Sequence, residues 1–109
     1  MAVRLSKPWL SAAEALKLLR GNLGVFEFAD ADGTVLYIGY AGGLSQFGLK
    51  GVVAEALQQV EAARLVRYEI TTAYHTRYRE LLMAYQADHG CLPPANPSMK
   101  SKLGNISPA

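Results

Sequence analysis

One cysteine, Cys91, is all the thiol chemistry in this chain of 109 residues. An internal disulfide is therefore excluded, which fits a reducing compartment. Long apolar runs are missing too: nothing approaches the roughly 18–20 residues needed to span a bilayer, so no membrane partner is expected. The opening "MAVRLSKPWL" has no apolar core followed by a cleavage site. No signal peptide is expected, and the expected location is cytoplasmic. Charge is sparse, at 18% of residues with a formal net of +2, and the isoelectric point is near 8.8. So mild an excess permits contact with a phosphate backbone without arguing for it. Internal repeats and low-complexity segments are absent. What remains is half hydrophobic, as in an ordinary soluble fold, and at this length roughly 60–70% of the unfolded surface can be buried in one domain.

The pattern of elements follows from local chemistry. Ser11 and Glu14 form a capping box ahead of Leu16, Leu18 and Leu19, which predicts a short helix stopped near Gly21. "GVFEFADADGTVLYIGY" reads as a β-hairpin with "DADG" as its turn. From about Gln46 to Glu61, Leu49, Val52, Val53, Ala56, Leu57 and Val60 recur at helical spacing. "RLVRYEITTA" predicts a third strand, and a third helix runs from about Tyr74 to His89, with Tyr78, Leu81, Leu82 and Tyr85 as its stripe. Gly90 is its expected stop. "CLPPANP" lacks the amide donors for regular structure, and the polar remainder reads as a loose tail. The order helix, strand, strand, helix, strand, helix predicts an α/β fold: a small mixed three-stranded sheet flanked by helices in two or three layers.

"VLYIGYAGG", residues 35–43, poses the functional question. A strand needs no such glycines in order to pair. With Ala31 and Asp32 central in the turn, Phe26 lies opposite Tyr37; with Asp32 and Gly33 central, it lies opposite Gly39. Either register puts Phe26, Tyr37 and Gly39 on one face. Gly39 is then expected to leave a gap beside the tyrosine that a ligand or a neighbouring backbone could approach. The plainer reading is a core aromatic pair with a glycine relieving a tight bend.

"GVF" at Gly24–Phe26, then "YIG" at Tyr37–Gly39 about ten residues on, resembles the signature of the GIY-YIG nuclease superfamily. The likeness extends to a following helix, a strand, a helix bearing Glu80 in "RYRELLMAY", and Asn96 in "PPAN". It covers about two-thirds of the chain, and sets off an N-terminal helical segment (1–22), a GIY-YIG-like domain (23–97) and a tail (98–109).

The resemblance implies metal-dependent phosphodiester hydrolysis of nucleic acid. Glu80 would hold one Mg²⁺ or Mn²⁺, and the metal would stabilise charge on the phosphate and the leaving oxygen. Tyr37 would line the site as base, and the metal and nearby cations would have to lower its pKa for that work at neutral pH. Gly39 would give the substrate room, with Arg77 and Asn96 beside it. The first-motif tyrosine is Phe26 here, and the phosphate-steadying arginine falls on Phe47. Lys50 stands one turn on and nearly on the same face, and takes the arginine's place as a point charge without its fork. The alternative is a catalytically impaired module of the same fold that binds nucleic acid or a protein partner.

Glu80 itself has two readings. It lies off the apolar stripe, as a solvated carboxylate paired with Arg77 would; yet Ala73, Ala84 and Ala87 share its side, so the helix could lie close to another surface there. Arg64, Arg67, Arg77 and Arg79, with Tyr68, Tyr74 and Tyr78 among them, suit phosphate contact with base stacking or an ordinary solvated face. His75, His89 and Cys91 do not make a structural zinc site, because no second ligand pair exists. Nothing orients His89 as a base for Cys91. A homodimer through exposed tyrosines is permitted, and no sequence feature compels it.

Overall fold

The computed structural model describes residue 5 and residues 7–43 and 47–96. Strand β1 is only Leu10–Ser11, and it runs straight into helix α1, Ala12–Leu18. Ser11 serves both. Its Oγ accepts the Glu14 amide at 3.2 Å, and Glu14 Oε1 accepts the Ser11 amide at 3.5 Å, closing the expected capping box.

Strands β2, Gly24–Ala29, and β3, Val35–Ala41, form the hairpin. Its turn is built by one side chain: Asp30 Oδ1 accepts the amides of Asp32 at 2.9 Å and Thr34 at 3.0 Å. The Gly33 N–H donates to the Asp30 carbonyl, with Gly33 at φ +87°, where a side chain would be strained. Phe26 pairs with Gly39 and Phe28 with Tyr37, and the register slips between Phe28 and Ala29.

Helix α2, Gly48–Gln59, buries Leu49, Val53 and Ala56, and Val60 continues the same line. Strand β4, Leu65–Ile70, then lies along the other side of β2, and helix α3, Tyr74–His89, follows. Gly90 closes α3 at φ +76°, its amide 2.7 Å from the Gln86 carbonyl.

The sheet has four strands in the order β1-β4-β2-β3, and every pairing is antiparallel. The expectation of three strands in a mixed sheet is corrected on both counts. A two-residue strand has no periodicity to read, and Ser11 advertises a helix cap rather than a ladder. The crossover through α2 sets β4 beside β2 rather than beside β3, so β4 meets an oppositely directed neighbour.

Each face of the sheet is covered, giving three layers. Ala15 of α1 and Leu19 just past its end, with Leu49, Val53 and Ala56 from α2, pack on Phe26, Phe28, Ala41 and Val66. Leu81 of α3 packs on Val25 and Ile38 of the opposite face. Because Ala15 and Leu19 share the core of Phe26, the described part of residues 1–22 belongs to the same unit as the rest. The expected tail, 98–109, lies outside the described residues. Among the described residues no helix is long and apolar enough to cross a membrane.

Candidate functional site

The glycines of "YIGYAGG" make room for this chain's own rings. A methyl group built at Gly39 would fall 2.5 Å from Phe26 Cζ and 2.8 Å from Tyr37 Cε2. The gap expected beside Tyr37 is therefore taken by the aromatic ring across the hairpin, and Gly39 offers no space to a substrate. Gly42 repeats the arrangement on a larger loop: its added methyl would meet Tyr74 Cε1 at 2.8 Å. The Gly43 amide donates to the Tyr74 hydroxyl at 3.2 Å. The plainer expectation, a core aromatic pair with a relieving glycine, matches this packing.

Tyr37 stands between two phenylalanines, 5.8 Å from each of Phe26 and Phe28 by ring centroid. Burial pushes its phenol well above the usual tyrosine range, and negative charge on Tyr78 or Tyr40 would push it further. Glu80 sits on α3, which covers the opposite face of the sheet from the cluster that holds Tyr37. The two side chains expected to converge are thus separated by the sheet.

Glu80 has the pairing that its solvated reading foresaw, with Arg77 Nη1 at 3.3 Å from Oε1. The same guanidinium grips Glu69 in a fork, Nε to Oε2 and Nη2 to Oε1, both at 3.0 Å. Arg77 is committed to two carboxylates. The implied Mg²⁺ or Mn²⁺ does not fit this donor set: the one carboxylate offered faces a guanidinium, and among the described residues no three His, Cys, Asp or Glu side chains converge.

Asn96 is also occupied. Its Oδ1 accepts the Ile38 amide at 3.0 Å and its Nδ2 donates to the Ile38 carbonyl at 2.9 Å. Only 7% exposed, it satisfies the free edge of β3 as a further strand would. Tyr78 lies beside it; burial raises the Tyr78 phenol and the Asn96 contact opposes that rise. The arginines read as a phosphate face are largely engaged within the fold. Arg64 Nη1 donates to the Glu61 and Ala63 carbonyls. Arg67 Nε reaches Glu27 at 2.8 Å and lies over the Trp9 ring at 4.1 Å.

Lys50, expected in the arginine's place, is exposed in the first turn of α2. It shares a shallow groove of about 430 Å³ with Arg20, Gly21, Phe47, Gly51 and Ala54. Phe47 is 71% exposed at the start of α2, and its φ of +64° makes it the one non-glycine residue in the left-handed region among those described. Gly48 follows at φ +56°, its Cα pressed to the Gly21 backbone so closely that no side chain fits. There the α1–β2 loop meets α2, with the Leu49 amide on the Asn22 carbonyl at 2.8 Å and the Lys50 amide on that of Arg20 at 3.0 Å. Arg20 Nη1 donates to the Lys17 and Leu19 carbonyls, which holds the guanidinium at the C-terminal end of α1.

Sequence reading passed over Arg20; its position just past the end of α1, where basic side chains cap carbonyls, was the available sign. The buried pair Glu27–Arg67 was missed too, although an isolated carboxylate inside "VFEFA" signals a partner elsewhere.

A four-stranded antiparallel sheet with a helix pair on one face and a single helix on the other defines a small α/β domain. Within that class, residues 3–88 match the family model described as a Domain of unknown function (DUF7508), and the chain belongs to that family. No curated protein and no solved structure matches it.

Proposed function

We propose that this chain is a nucleic-acid-binding module on a GIY-YIG-like frame, one that holds a phosphate backbone without hydrolysing it. The observation that carries the reading is Lys50, exposed in the first turn of α2 close to the exposed Phe47. It lies at the start of the helix where the resemblance expects a phosphate-steadying arginine. An exposed cation on a mildly basic chain gives modest, salt-sensitive attraction to phosphates.

Hydrolysis is left out of the reading for chemical reasons. A base must be deprotonated to take a proton from water, and burial among Phe26 and Phe28 holds Tyr37 in its protonated form at neutral pH. Phe26 brings no hydroxyl in its place. Glu80 answers to Arg77 on the other face of the sheet.

The test pairs binding with cleavage. Purified protein is titrated against labelled DNA and RNA at several salt concentrations, then incubated with the same substrates in Mg²⁺ or Mn²⁺ beside Glu80→Ala. The expected result is binding that weakens as salt rises, with no cleavage by either protein. Cleavage abolished by Glu80→Ala would overturn the non-hydrolytic reading. Absence of binding even at low salt would overturn the module itself.

A further inference from the structure

We propose that residues 93–96 guard the free edge of β3 and keep it from pairing with β3 of a second copy of this chain. The guarded surface is the strand edge itself, so this property is independent of nucleic-acid binding.

The two ends of the sheet differ in what they offer a neighbour. On one side it ends in β1, whose two residues are too few to template a ladder. On the other it ends in the seven residues of β3, "VLYIGYA", which hold no charge and no proline. Charges, prolines and short length are the usual means of keeping an edge from recruiting another strand. In their place β3 has a register slip near its start and Asn96 at its middle.

Asn96 is held for that task from several sides. Pro93 is fully buried, its carbonyl accepts the Asn96 amide at 3.1 Å, and Ala95 packs against the core cluster of Phe26 and Phe28. Tyr78 of α3 meets the Asn96 side chain. Because Ile38 gives both its amide and its carbonyl to Asn96, those groups point away from β2, and alternation turns the groups of Tyr40 outward as well. Among the described residues no loop amide or carbonyl meets Tyr40. These two residues are what a second β3 would need. In an antiparallel pair of identical strands, Ile38 would exchange both bonds with Tyr40 of the second copy, which sets Gly39 opposite Gly39 on the two-fold axis. That central pair is the closely spaced, unbonded kind, and glycine leaves it free of side chains. With Asn96 in place, Ile38 has no amide to give.

Sedimentation velocity over a wide range of concentration is compared for wild type, Asn96→Ala and Asn96→Ser, whose hydroxyl is too short to span both groups of Ile38. Circular dichroism checks that each variant is folded. Wild type should stay monomeric, and both variants should dimerise as concentration rises. Amide exchange followed by NMR then identifies the surface. In the dimer the Tyr40 amide should exchange roughly 2- to 12-fold more slowly than in wild type, the range that one net hydrogen bond supports. Folded variants that remain monomeric would overturn the guard, and so would a wild type that dimerises as readily as they do. Association with no slowing at Tyr40 would place the contact elsewhere and overturn the edge pairing. Loss of fold in both variants would make Asn96 a requirement of folding and overturn the guard as well.

Discussion

Phe26 and Glu27 are neighbours on β2, both buried, and they point to opposite faces of one sheet. Beneath α1 and α2, the Phe26 face is held by shape: three aromatic rings meet over a glycine that lets them close. Beneath α3, the Glu27 face adds ion pairs to the packing of Leu81 on Val25 and Ile38. Glu27 answers Arg67, Arg67 lies on Trp9, and Glu69 and Glu80 share Arg77. The first face is the more sensitive to a change of volume, and the second responds to a change of volume and to an unpaired charge alike. Gly39 leaves no room for a substrate beside Tyr37, and the exposed cation Lys50 stands instead at the start of α2.

The strongest way to break this contrast is on the aromatic side. Phe26→Ala should cost about 3–5 kcal/mol in urea unfolding, as large-to-small changes in a closed core do. Gly39→Ala should cost about 1–3 kcal/mol by overpacking. In a Phe26→Leu background the Gly39→Ala cost should shrink, because the atom it strikes is gone; additive costs would mean that the two do not touch.

On the charged side, Arg67→Ala should cost about 3 kcal/mol near neutral pH, where it strands the Glu27 carboxylate. The sign of the pH dependence is fixed by burial. Desolvation raises the Glu27 pKa above its ordinary 4.5 despite the opposing contacts of Arg67 and the charge of Arg77. A raised carboxylate favours the folded state below its unfolded pKa, and that advantage is lost as pH rises through the folded value. Wild type should therefore lose stability relative to Glu27→Gln over that interval and run parallel to it at higher pH. A flat difference would mean that Glu27 is solvated. The smallest effect belongs to Glu80→Ala: with Arg77 still gripping Glu69, unfolding should shift by less than about 0.5 kcal/mol.

Legibility in the sequence followed the range of the interaction. The Ser11–Glu14 box, the Asp30–Gly33 turn, the α2 stripe and the bounds of α3 were readable because each is fixed by residues within about one helical turn or one loop. Strand β1 was not, since its two residues acquire meaning only from Leu65 and Val66. Period two placed Phe26, Tyr37 and Gly39 together, but only the register showed which ring fills the space over Gly39. Which face α3 would cover depended on a crossover that no local pattern encodes, so Tyr37 and Glu80 read as partners when they are not. Asn96 was read as a substrate contact, whereas its side chain is taken up by Ile38, 58 residues away.

The most direct test of the central claim, that the tyrosine of "YIG" is a packing residue and no base, is its ionisation. Alkaline absorbance titrations of wild type and Tyr37→Phe should differ by no component titrating at or below the ordinary value of about 10. A phenolate that forms near neutral pH in wild type, and disappears in Tyr37→Phe, would contradict it.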